Sequence, residues 1–418
     1  VTFCYNGGPG SSSMWLHLGV IGPRRVLVND PNGNGPAPYK MEDNNYSILD
    51  VSDIVMIDPV GTGLSRSVGK GKDADFWQVD GDISSVSSFI KSYILKNDRW
   101  NSPKYLLGES YGTFRSAGVA NYLQDNLGIS VNGIVLVSSV LDIRTLSFLP
   151  GDDLSYIVNL PTYAATAWYH DKLSNKPSDI QAFLTEVREF ASGRYAAALM
   201  KGDQLAAAEK EAVLKQLAAF TGISKEYWDK ADLRVSQPQF SQELLNDKRL
   251  IVGRLDSRYT SLTETPLAEY AETDPQSDAI SPAYITAFLN YYYTELKVDK
   301  KETYNTGAYV MPGFNWNWQH RASNGLFGDA SSPNTGIDLK NALTRNPQMK
   351  VIILNGIYDL ATPFYATEFS IGHLLLNPDI RKNISMKYYE AGHMMYVHNN
   401  SAAAFKKDVA GFISGNLK

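Results

Sequence analysis

Cysteine is almost missing from this sequence. Of 418 residues only Cys4 carries a thiol, so no disulfide can form within the chain and the fold does not depend on that staple. Long apolar runs are missing too: none approaches the roughly 18 uninterrupted residues that a membrane helix needs, which argues against a membrane partner. Positive charge is not concentrated anywhere. Lys and Arg number 39 against 44 Asp and Glu, a net charge of −5, and no basic cluster breaks that balance. A nucleic-acid partner is therefore not expected. The chain opens directly on the apolar "VTFCY", with neither an initiator Met nor a signal peptide ahead of it. It reads as a mature form or a fragment cut into a strand.

What is present is a core. With 44% hydrophobic residues the chain can bury a large one, as a single big domain with an insertion or as two domains. Short apolar runs at 1–5, 53–58, 104–108 and 132–140 are bounded by Gly, Pro, Asn and Asp and are rich in Val and Ile, as buried parallel strands are. Between them, 80–97 and 111–126 have apolar residues at helical spacing. The strand–helix–strand rhythm predicts an α/β fold with a mostly parallel sheet. From about residue 146 it gives way to Ala-, Glu-, Lys- and Leu-rich helical patterns, with a further helix expected at 282–296 and Pro282 near its first turn. Strand patterns return at 349–359 and 384–393. The expected organisation is a sheet core at 1–145, a mainly helical cap at 146–325 and the rest of the core at 326–418.

"GESYG" at 108–112 follows an apolar strand and opens a helix, the setting a G-x-S-x-G nucleophile elbow requires. A sharp turn there lifts the Ser110 hydroxyl clear of the sheet, and side chains at 108 or 112 would meet crowded backbone. Such a serine needs a base, and the base an orienting carboxylate, in the chain order Ser, Asp or Glu, His. Asp359 ends the strand pattern "VIILNGIYD", and His393 follows 34 residues later in "AGHMMY"; His398 is the fallback base. "NGGPG" at 6–10 follows the first strand and exposes backbone amides. The N–H groups of Gly8 and Tyr111 are the expected oxyanion donors. A phosphate-binding role for the glycines is disfavoured, because no Lys follows them. The serines of "SSS" (11–13) are expected to cap or pack the next segment. No cofactor and no metal are expected.

Together, "NGGPGSSS", "DPVGTGLS", "GESYGT", "NGIYDLATP" and "EAGHMMY" resemble the serine carboxypeptidases, in family order and over nearly the whole chain. The resemblance implies an α/β-hydrolase fold with a cap, and the triad Ser110, Asp359 and His393. It implies an oxyanion hole from Gly8 and Tyr111, and binding of the substrate's terminal carboxylate by Asn6 and Glu109. Peptides with a free C-terminal carboxylate are the implied partners, and a secreted or periplasmic location is implied as well. Ser11 stands where eukaryotic members often have a disulfide-bonded Cys, which fits bacterial-type relatives. The family also has strands upstream of this loop, so residues 1–5 are expected to form a strand whose upstream neighbours lie outside this sequence. Proline-releasing aminopeptidases share a "GGPG" loop but usually carry His before it and a small residue before the nucleophile, where this chain has Asn6 and Glu109. An ester hydrolase or acyltransferase, and a silent binding protein, remain as rival readings on the same scaffold.

Overall fold

The computed structural model describes residues 1–320 and 333–415. Six strands make one sheet: β1 Thr2–Tyr5, β2 Ile54–Met56, β3 Tyr105–Glu109, β4 Gly133–Val137, β5 Lys350–Gly356 and β6 Ile384–Tyr389. Their order is β6-β5-β4-β3-β1-β2, and every pairing is parallel. Each apolar run read as a strand forms one. β1 lies inside the sheet, bonded to β2 on one side and β3 on the other.

Period-2 alternation explains why these runs are apolar throughout. Phe3, Tyr5, Leu106, Ile134, Leu136, Val351 and Ile353 enter a core shared with helices α1 (Val79–Lys96), α2 (Tyr111–Leu127) and, after an interval, Gly336–Arg345. Their neighbours Cys4, Leu107, Val135, Val137, Ile352 and Leu354 point the other way, towards helices Pro275–Thr294 and Asn399–Ile413. Both faces of the sheet are covered, and each fully buried Val, Leu or Ile contributes roughly 1.5–3 kcal/mol relative to exposure. Cys4 is simply one of these core residues.

Between β4 and β5 come helices with a third core of their own. Leu154–Tyr169, Ile180–Phe190 and Ala207–Thr221 close around residues such as Tyr163, Val187, Leu217 and the fully buried Trp228. Ile357, Tyr358 and Leu360, just past β5, belong to this third core. Helix Pro275–Thr294 starts seven residues before the position expected from sequence. Asp274 caps it by accepting from the Ser277 N–H at 2.8 Å, and Pro275 takes the first turn, leaving Pro282 in the helix interior. The segment around 313–320 does not line the catalytic cavity described below. Trp316 and Trp318 instead pack edge-on against Tyr111, at ring distances of 5.1 and 5.8 Å.

In a parallel sheet all strand ends of one sense lie along one edge. The chain leaves β1 for β2 on one side and later returns to β3 on the other, so the loops after β1 and β3 diverge and leave a crevice at the carboxyl edge. The loop after β1 nonetheless touches the turn after β3. A Cβ on Gly7 would lie 2.4 Å from the Tyr111 nitrogen and 2.7 Å from the Glu109 carbonyl. Behind this contact sits Arg115 of α2, which is fully buried. It donates to Asp82 Oδ2 of α1 at 2.7 Å and to the Asn6 carbonyl at 2.8 Å.

Two outcomes follow for stability. Asp82→Ala leaves the Arg115 guanidinium buried without its counter-charge and should cost about 3–5 kcal/mol, measurable as a lowered urea midpoint; a loss under 1 kcal/mol would show the pair to be dispensable. Gly7→Ala forces a methyl into backbone and should cost about 1–3 kcal/mol. In Gly372→Ala the new Cβ meets nothing within 4 Å. That control should be neutral, or stabilising by up to about 1 kcal/mol, on the same thermal-unfolding measurement.

Candidate active site

Ser110 occupies the turn between β3 and α2 with φ 60° and ψ −128°, a strained conformation for any residue with a side chain. Its surroundings enforce it. The Ser110 N–H donates to the Val137 carbonyl at 2.9 Å, and the Ser110 carbonyl accepts from the Thr113 N–H at 2.8 Å and the Thr113 hydroxyl at 2.7 Å. Gly108 is sterically required, since a Cβ there would lie 2.1 Å from the Gly112 carbonyl, and Gly112 is tight, since a Cβ there would lie 3.0 Å from the Tyr5 carbonyl. Tyr111 begins α2, so its N–H lies at the positive end of a helix.

Asp359 and His393 come from the loops after β5 and β6. Asp359 is fully buried, and four donors converge on it. Oδ1 accepts from the N–H groups of Ala361 and Thr362 at 2.8 and 2.9 Å. Oδ2 accepts from the Thr362 hydroxyl at 2.6 Å and lies 2.8 Å from His393 Nδ1. That last contact assigns the proton of a neutral His393 to Nδ1 and leaves Nε2 as the acceptor. The His393 backbone is pinned from two sides, its N–H donating to Leu255 at 2.6 Å and its carbonyl accepting from the Ser138 hydroxyl at 2.6 Å. Burial pulls the His393 pKa down, but the Asp359 carboxylate and then Glu109 act against it, and the net direction is upward. His398 is elsewhere: it occupies the position just before the last helix without a side-chain bond to its backbone, and its Nδ1 meets the Ser401 hydroxyl at 2.8 Å.

Asn6 and Glu109 meet across the β1–β3 boundary. Asn6 Nδ2 donates to Glu109 Oε1 at 3.0 Å, and Asn6 Oδ1 accepts from the Leu16 N–H at 3.0 Å. The Asn6 amide also lies in hydrogen-bond contact with the Tyr396 hydroxyl, so Asn6, Glu109 and Tyr396 form one buried network. Glu109 is buried, and burial pushes its carboxyl pKa up to about 7, against the opposing pull of His393. Its second oxygen, Oε2, accepts from the Tyr396 hydroxyl at 2.7 Å.

Asn6, Gly8, Glu109, Ser110 and His393 line one cavity of about 390 Å³. Trp15, Arg254, Ile280 and Tyr309 complete its wall. Tyr396, Thr362, Arg115 and Arg254 were not singled out from sequence. Tyr396 had a local signal, since it ends the "GHMMY" motif. The others act through contacts that no spacing reveals. Of the serines after "NGGPG", expected to cap or pack the next segment, all three are buried. Ser13 precedes a short helix without capping it, and its hydroxyl instead donates to the Ile57 carbonyl at 2.5 Å, tying the loop to the end of β2.

A family model described as serine carboxypeptidase matches residues 1–414. The pheromone-processing carboxypeptidase KEX1 of Yarrowia lipolytica is 29% identical over 140 residues, 33% of this chain and 21% of that protein. The same-named protein of Vanderwaltozyma polyspora is 32% identical over 197 residues, 43% of this chain and 25% of that protein. The matches thus span a quarter or less of these relatives. The crystal structure of KEX1(ΔP), a prohormone-processing carboxypeptidase from Saccharomyces cerevisiae, shares the fold with a TM-score of 0.52 at 15% identity, covering 99% of this chain and 83% of that one. The parallel sheet with its flanking helices is an α/β-hydrolase architecture, and with a family match along nearly its whole length this chain belongs to the serine carboxypeptidase family.

Proposed function

We propose that this chain is a serine-type carboxypeptidase that releases C-terminal residues from peptides through an acyl-enzyme, best under acidic conditions. The observation that carries the reading is the convergence on one cavity of Ser110, the His393–Asp359 pair and the Asn6–Glu109 pair. A nucleophile with its base supports acyl transfer in general. A raised carboxyl beside an amide in the same cavity supports a substrate that ends in a carboxylate.

In this reading Ser110 Oγ attacks the scissile carbonyl while His393 Nε2 takes its proton. The N–H groups of Gly8 and Tyr111 receive the oxyanion, and His393 returns the proton to the departing amine. Water then repeats the sequence on the ester, with the proton passing again through His393 and back to Ser110. Asp359 holds the imidazole and stabilises its charged form. Asn6 donates to the substrate's terminal carboxylate, and a neutral Glu109 shares its proton with it. The helices between Leu154 and Thr221 act as a cap over this edge of the sheet, the expected cap boundary at 325 lies outside the described residues, and the enzyme works in a secreted or periplasmic setting.

Ser110→Ala should lower kcat by about 10⁴ or more with the fold intact, on a blocked dipeptide and on a small ester alike. Near-normal turnover would remove Ser110 as nucleophile and favour another class of activity.

The pH dependence follows from the neutral form of Glu109 being the one that binds. Its pKa, raised by burial to about 7, keeps that form present below about pH 7 and loses it above. KM for a blocked dipeptide should therefore rise above about pH 7. An ester without a free carboxylate should instead follow loss of the proton from His393 and gain with rising pH. Glu109→Gln keeps a donor without titrating, so the rise in KM should disappear. An unchanged KM profile in that variant would point to the ester-hydrolase reading.

A further inference from the structure

Glu109 has a partner that the proposed chemistry does not use. Tyr396 lies three residues beyond His393, its side chain fully buried, and its hydroxyl donates to Glu109 Oε2 at 2.7 Å. The ring is wedged into place. A Cβ on Gly19 would lie 2.2 Å from Tyr396 Cε2, so only a bare glycine leaves room for it. Phe405 meets the ring edge-on at 6.3 Å. The other ionisable groups facing Glu109 are His393, Asp359 and Tyr284. Asn6, on Oε1 at 3.0 Å, lines the catalytic cavity, whereas Tyr396, on Oε2, does not and is itself in hydrogen-bond contact with Asn6.

We propose that Tyr396 is a positioning residue for carboxyl-terminus recognition: by occupying Oε2 from the buried side, its hydroxyl directs the proton of neutral Glu109 to Oε1, facing the substrate carboxylate. This rests on reading Asn6 and Glu109 as the carboxylate-binding pair. A neutral carboxyl group has one proton and two oxygens to carry it. Both oxygens accept a hydrogen bond, but the shorter one, 2.7 Å, is at Oε2 and the longer, 3.0 Å, is from Asn6 at Oε1. The proton is therefore favoured on Oε1, which as a hydroxyl oxygen can still accept from Asn6. Without Tyr396 the proton can settle on the buried oxygen, where it faces no substrate. The same bond has a second effect with a definite sign. It favours ionised Glu109 and so opposes the upward push of burial. Removing it should raise the Glu109 pKa further and carry the neutral form to higher pH.

The test is Tyr396→Phe, with KM and kcat measured against pH for a blocked dipeptide, its C-terminal amide and a small ester. Wild-type KM for the dipeptide should rise above about pH 7. In the variant that rise should move up by about 1–2 pH units, the size expected from losing one hydrogen bond to a charged group. Below the rise, dipeptide KM should be several-fold higher than in wild type, with kcat much less affected. The amide and the ester lack the carboxylate, so their pH profiles should not be displaced, and ester turnover reports that the variant has folded. Gly19→Ala pushes the ring off Glu109 without removing the hydroxyl and should give the same displacement. In a Glu109→Gln background, adding Tyr396→Phe should displace nothing. Superimposable dipeptide profiles in wild type and both single variants would overturn the proposal. So would equal losses on dipeptide and ester, which mark a purely structural role. If wild type binds the dipeptide and its amide equally well, the carboxylate-binding reading fails first and takes this one with it.

Discussion

A cation with no access to water holds the site together. Arg115 is fully buried, and its guanidinium joins Asp82 on α1 to the Asn6 carbonyl at the end of β1, with the rings of Tyr5 and Tyr111 each 5.2 Å away. Those contacts fix three elements relative to one another: the strand that carries the Gly-rich loop, the helix that begins at Tyr111, and the helix that crosses over behind them. The amide groups at Gly8 and Tyr111 belong to different elements, and their separation is set by this contact and by Gly7 lying against the Tyr111 nitrogen. A buried ion pair is a poor source of net stability, because desolvation offsets most of its attraction. What it does here is make other arrangements of the loop costly, since each would leave the guanidinium or Asp82 without a partner.

The sheet was legible in the sequence because both of its faces are buried. Runs such as 132–140 have no polar face, and a continuous apolar run bounded by turn residues has few readings other than a buried strand. The elbow was legible because Gly108 is forced by a contact at 2.1 Å and Gly112 is crowded at 3.0 Å, and steric demands of that kind leave a fixed spacing. Asp359 and His393 could be reached through chain order together with their places after apolar strand patterns. Thr362, Arg115 and Arg254 could not. Each reaches its place through tertiary contacts, and nothing in the local pattern separates a serving Thr or Arg from the many that face water. The helix beginning at Pro275 was misplaced for a different reason. Asp274 and Pro275 form a cap and first turn that fit the rules for a helix start, yet Pro282 offered a competing start. The structure settles it by letting the helix run through Pro282.

One physical effect acts on both titrating groups of the cavity. Taking Glu109 out of water favours its neutral acid form, and taking His393 out of water favours its neutral base form. The proposed reaction needs both neutral forms together, one to hold a carboxylate and one to accept the serine proton. Nearby charge works against this. Asp359 raises the His393 pKa, and each of His393 and Glu109, when ionised, favours the ionised form of the other. The free cavity is therefore a compromise between desolvation and attraction. In the proposed reaction a substrate filling the cavity would act on both groups: desolvation favours the neutral pair, while its carboxylate favours neutral Glu109 but charged His393. In that proposed reaction the apolar part of the wall, Trp15 and Ile280 included, acts by excluding water from the cavity that holds Glu109 and His393.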